Sequence, residues 1–73
     1  MAKKMYGYEY DPIPTKDAER FIAEDIYDNG KFTQECEWWH VADLNDYEEM
    51  WMDNICGLII IRTNTDTSYI RFF

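Results

Sequence analysis

The chain has 73 residues, with 15 acids against seven Lys and Arg and a formal net charge of −8. That length makes one domain, 1–73, and its field repels nucleic acid and anionic membrane surfaces while attracting basic proteins. Aromatics are 18% of the residues, enough apolar area to exclude disorder despite the charge.

Met5 to Tyr10 alternates, with Tyr6, Tyr8 and Tyr10 on one side, and predicts a strand. Asp11-Pro12-Ile13-Pro14 should break it, because two prolines so close suit neither a central strand nor a helix interior. Thr15 is a good N-cap, and Asp17 and Glu19 follow in the first turn, where the helix dipole favours anions. The helix is predicted over Lys16 to Asp28, with Asp17, Glu24 and Asp28 on its outer side and Asn29-Gly30 as the stop.

Lys31 to Val41 returns to period two and predicts a second strand. Trp38 then points to the core, and Trp39 shares the opposite side with Glu35 and Glu37. In the next segment Leu44, Tyr47, Trp51 and Ile55 recur at helical spacing, with Asp46, Glu49 and Asp53 as the opposite stripe. Asn45 and Glu48 have capping-box spacing. These features predict a second helix closed by Gly57. Leu58 to Ile61 is an apolar run typical of a strand buried on both faces, and Asn64-Thr65-Asp66-Thr67 is a turn by composition. Ser68 to Phe73 completes a hairpin. The expected fold class is α+β: a four-stranded, mainly antiparallel sheet with two helices packed on one face, in the order β-α-β-α-β-β.

The N-terminus carries no apolar run of a signal peptide, and Leu58 to Ile61 is far too short to span a bilayer. Cys36 and Cys56, twenty apart, make no disulfide framework. The expectation is a soluble cytoplasmic protein with two inert thiols. Cys36, His40 and Cys56 are the possible soft metal ligands, but zinc sites show paired ligands at close spacing and a second pair is missing. The Asp43 to Asn54 stretch lacks the glycine and the bidentate Glu of a calcium loop. Without a phosphate loop, nucleophile elbow or Ser-His-Asp set, the reading is of no enzyme, no cofactor, no metal and no catalytic residue. The basic residues are scattered, so direct binding of nucleic acid is not expected.

From Phe32 to Ile61 there is no Lys or Arg, while seven acids and three tryptophans fall there. Acids at a rim with aromatic anchors suit a basic protein partner. The expected partner-binding residues are Glu35, Glu37, Trp39, Asp46, Glu49 and Asp53, with Asp17, Glu24 and Asp28 on the first helix. In size, acidity and aromatic content the chain resembles the small inhibitor proteins that viruses of bacteria make against host defence. Some of those occupy the nucleic-acid channel of a CRISPR complex, a restriction enzyme or a DNA-repair enzyme. The resemblance covers composition alone and transfers no functional residue. It implies an acidic nucleic-acid mimic in the host cytoplasm that inhibits a basic, nucleic-acid-binding protein or complex. Two alternatives stand beside it: an antitoxin or immunity protein against one basic toxin, and a structural subunit that buries its aromatics against a second copy as a homodimer.

Overall fold

The computed structural model describes residues 2–28, 30 and 32–73. The strands are β1 (Lys3–Met5), β2 (Tyr8–Pro14), β3 (Ile26–Asp28), β4 (Thr33–Glu35), β5 (Trp38–Asn45), β6 (Glu48–Asp53), β7 (Leu58–Thr63) and β8 (Thr67–Phe72), and helix α1 (Thr15–Glu24) follows β2. Six strands form one antiparallel sheet in the order β1-β2-β8-β7-β6-β5, and β3 pairs with β4 in a separate two-stranded sheet. The expected four strands and two helices are therefore corrected to a mostly β architecture with one short helix.

The second helix fails at its capping box. Asn45 Oδ1 accepts the Tyr47 N–H at 2.8 Å and Asn45 Nδ2 donates to Glu48 Oε1 at 2.8 Å. The side chains that would cap a helix instead fold an Asx turn that joins β5 to β6. The flanking residues then alternate: Glu49, Trp51 and Asp53 take one face of the sheet, and Met50 and Met52 the other. Asp46, Glu49 and Asp53 consequently form no stripe.

The first helix is shorter than expected. Thr15 does not cap it; its hydroxyl meets Thr65 O at 2.6 Å and Ser68 Oγ at 2.7 Å, tying the start of α1 to the β7–β8 turn. Asp25 ends the helix in the left-handed region at φ 52°, so Asp28 lies on β3 and not on α1. The expected stop falls partly on Asn29, and the expected second strand begins at Lys31; both positions lie outside the described residues. That strand is divided between β4 and β5, in different sheets.

The N-terminal strand is a hairpin. Tyr6 and Gly7 both have positive φ, 51° and 86°, the signature of a two-residue type I′ turn, which Gly7 suits for lack of a Cβ. The prolines do not break β2. Residues 8–10 pair with β1, whereas Asp11–Pro14 pair with β8 alone, and a strand with one open side tolerates residues without an N–H.

The core has two sides because β7 is buried on both, as its sequence predicts. On one side Leu58, Ile60 and Ile70 pack against Ala18 and Phe21 of α1 and against Trp38 and Cys36. On the other, Ile59, Ile61 and Tyr10 are buried among Met5, Leu44, Met50, Met52 and Tyr69. No helix lies there. Tyr6, in the β1–β2 turn, donates its hydroxyl to Glu48 Oε1 of β6 at 2.6 Å. These strands are four steps apart in the sheet, about 19 Å if it were flat. A tyrosine can span that gap only because the sheet curls over its own second face.

Asp53 ends β6 and is fully buried. Its Oδ1 accepts the N–H groups of Glu37 (2.8 Å) and Ile55 (3.1 Å), and its Oδ2 that of Cys56 (2.9 Å). Burial pushes its pKa up, but these backbone donors outweigh it and hold the carboxyl below the usual carboxylate range. A carboxyl depressed in the fold contributes its full stability above the unfolded pKa, about 3.9, and loses it as pH falls through the folded value. Asp53→Asn turns an N–H toward these donors and should cost about 2 kcal/mol at neutral pH. Urea unfolding at pH 7 and at about pH 3 should show a smaller acid-induced loss in the variant than in the wild type. Ile60→Val, with no charge involved, should lower stability by about 1 kcal/mol at both pH values.

Candidate functional site

The β5–β6 turn and its flanks bring four acids close together in the chain. Asp43 and the turn residue Asp46 approach Glu48 and Glu49 around an open cleft of about 370 Å³, into which Arg62 of β7 also projects. Tyr47 stands at its lip with 65% of its surface exposed. Four acids line it with one arginine, and among the four Glu49 is the one that meets that guanidinium.

Three of the four are fixed. Glu48 Oε1 takes hydrogen bonds from Tyr6 Oη and Asn45 Nδ2. That bond to Glu48 is the main reason the Tyr6 phenol is held above its usual pKa of 10. Glu49 Oε1 accepts the Trp51 indole N–H at 3.0 Å and the Arg62 guanidinium at 2.9 Å. The indole bond, then Arg62, draw its carboxyl below the ordinary range. Arg62 is itself clamped, since its other nitrogen meets Glu19 of α1 at 3.0 Å. Asp43 Oδ1 sits 2.8 Å from His40 Nε2, and the His40 ring meets that of Trp51 at a tilt of 58° with centroids 5.3 Å apart. Asp46 is exposed and has no side-chain partner among the described residues.

A preformed set of carboxylates in a cleft selects a cation with several N–H donors, such as a guanidinium or ammonium side chain. Asp43, Glu49 and His40 also bring three ligand atoms within 4.8 Å of one another. Arg62 already places its positive charge on Glu49, which disfavours a metal ion there.

Of the residues expected to bind a partner, the structure gathers only Asp46 and Glu49 at this cleft. Glu35 is exposed on β4, Glu37 is exposed between β4 and β5, and Trp39 lies on the second face of the sheet beside Met52. They share no strand face, because the chain changes sheet at Cys36. Asp53 is buried beneath backbone donors and offers no surface. On α1, Asp17 is half-buried and Glu24 exposed, while Asp28 pairs with Arg20 at 3.5 Å. The two acidic groups do not join. Glu48 and Asp53 mark opposite ends of β6, about 17 Å apart at 3.4 Å per residue. Asp43, Tyr47 and Glu48 belong to the acidic stretch but were not among the expected partner-binding residues, and neither was Arg62; Asn45-Asp46 as an Asx turn was the signal that could have grouped them.

No protein-family model, curated protein or solved structure matches this chain.

The Tyr6–Glu48 bond joins this site to the curl of the sheet. Tyr6→Phe removes the donor and keeps the ring, and should lower stability by about 1 kcal/mol. Thermal unfolding at neutral pH should show a Tm about 4–8 °C lower.

Proposed function

We propose that this protein is a small acidic binding protein that docks on a basic, nucleic-acid-binding protein or complex and inhibits it by occupying the groove meant for nucleic acid. The observation that carries this reading is the cleft that Asp43, Asp46, Glu48 and Glu49 line beside exposed Tyr47. The net charge supports it. With every Lys and Arg counted it is still −8, so the field reaches a basic partner and speeds its encounter.

A second reading has its own observation. β5 is an edge strand of the six-stranded sheet, with Trp39 38% and Val41 43% exposed. Unpaired edges accept another strand, and a second copy of this chain would cover both side chains. Its ladder is interrupted twice, between His40 and Ala42 and between Asp43 and Asn45. Such bulges discourage edge pairing, which places this reading second.

Titration with an oligo-arginine peptide tests the cleft. Affinity should fall steeply as salt rises, and Asp43→Lys with Asp46→Lys should weaken binding at low salt by about tenfold or more. Glu24→Lys, at the other end of α1, serves as the single-charge control and should change little. Equal affinity for the wild type and the double variant would remove the cleft from the interface. Sedimentation at micromolar concentration tests the second reading: a dimer that Trp39→Ser dissociates would favour it over the first.

A further inference from the structure

We propose that Cys36 and Cys56 are a thiol pair built to close into a reversible intramolecular disulfide by exchange with a small-molecule disulfide such as oxidised glutathione. Their sulphurs lie 3.2 Å apart, from residues twenty positions apart in sequence. Cys36 is in the β4–β5 connection and Cys56 in the β6–β7 turn, and a single buried carboxylate pins both segments. Asp53 Oδ1 takes the N–H of Glu37, next to Cys36, and Asp53 Oδ2 takes the N–H of Cys56 itself. On the other flank the Cys36 N–H donates to Asp25 O at 2.8 Å. The backbone on both sides of the pair is therefore held before any bond forms.

Geometry separates this pair from a metal site. Cys36, Asp53 and Cys56 do bring three ligand atoms within 4.8 Å. Structural zinc takes four ligands, and this cluster brings three together among the described residues. The Asp53 oxygens are also already engaged by backbone N–H groups. Closing to the disulfide length of about 2.05 Å needs roughly 1.2 Å of approach, within reach of side-chain rotation and small backbone adjustment.

Burial sets the order of events. Cys36 is buried and Cys56 partly exposed, and burial, the Cys56 thiol and the Asp53 carboxylate push the Cys36 thiol up, away from the reactive thiolate. Cys56 is the one an external disulfide can reach: its S–H proton passes to solvent and its sulphur attacks one sulphur of the glutathione disulfide. The S–S bond breaks and one glutathione leaves as a thiol. The Cys36 sulphur then loses its proton and attacks the Cys56 sulphur of the mixed disulfide, releasing the second glutathione. Two protein S–H groups are oxidised and one external disulfide is reduced to two thiols. The new bond fastens the β4–β5 connection to the β6–β7 turn, at the opposite end of β6 from the acidic cleft.

The test incubates the native protein with excess oxidised glutathione, then measures intact mass, titratable thiols under denaturing conditions and Tm. The expected product is a monomer lighter by two hydrogen atoms, with neither thiol titratable and Tm raised by about 10 °C; dithiothreitol should restore the starting state. Cys36→Ser should stop at a stable glutathione adduct on Cys56. Retention of both thiols, an accumulating wild-type adduct, covalent dimers as the main product, or a lowered Tm would overturn the proposal. So would zinc that stays bound through gel filtration and protects both thiols. Mass and thiol count of the wild type decide the matter even if the serine variant does not fold.

Discussion

A strand that is apolar on both faces must be covered on both, and the described residues hold one ten-residue helix with which to do it. β7 sets that constraint. Its run Leu58-Ile59-Ile60-Ile61 is entirely buried, and leaving one face wet would forfeit about 1.5–3 kcal/mol per large side chain. Helix α1 covers Leu58 and Ile60. Ile59 and Ile61 are covered by the sheet itself, which bends until the β1–β2 turn reaches β6. The Tyr6–Glu48 bond fastens that bend, and the short β1, the type I′ turn and the alternation of Met50 and Met52 serve the same closure. In a domain this small, where surface outweighs interior, curling a sheet is the economical way to enclose a second core.

At the opposite end of β6 the organising group is polar. Asp53 gathers three backbone N–H groups from two connections that ordinary turn geometry would leave unpaired. An unsatisfied buried donor costs about 1–3 kcal/mol, so one carboxylate meeting three of them offsets its own desolvation. The same arrangement sets Cys36 beside Cys56. Their proximity is thus a consequence of satisfying the backbone and does not depend on any bond between the sulphurs.

Legibility in the sequence followed the strength of local signals. β7, the β7–β8 hairpin and the first part of α1 were readable because hydrophobic runs, turn residues and an amphipathic stripe agree there. The second helix was not readable as a hairpin. Between Leu44 and Ile55 the apolar stripe satisfies a 3.6-residue period, Met50-Trp51-Met52 in a row hides the alternation of a strand, and Asn45 with Glu48 suits a cap or a turn equally. Tertiary context decided, since β6 completes the ladder between β5 and β7. β2 ran through Pro12 and Pro14 because its partner on one side had already ended, a fact about neighbours that no local pattern carries. For the site, the acidity of the Phe32–Ile61 stretch was visible. Its division between a turn cleft and a buried structural carboxylate was not, because that depends on which residues face which strand.

The acids consequently sort by what they do. Glu19, Asp25, Asp28, Asp43, Glu48, Glu49 and Asp53 each hold a named hydrogen bond or ion pair. The remaining eight of the fifteen have no side-chain hydrogen bond or ion pair among the described residues. Here Asp43, Glu48 and Glu49 are fixed by His40, by Tyr6 and Asn45, and by Trp51 and Arg62, all around one cleft, with Asp46 left free at its edge. Carboxylates held in place lose less side-chain entropy when a cation arrives, and those that stabilise the fold cannot move aside. The curl that the core demands therefore also fixes part of the cleft, since Tyr6 closes the sheet on a carboxylate that lines it. Under the proposed function, a cation bound at Glu48 would in turn reinforce the closure of the sheet.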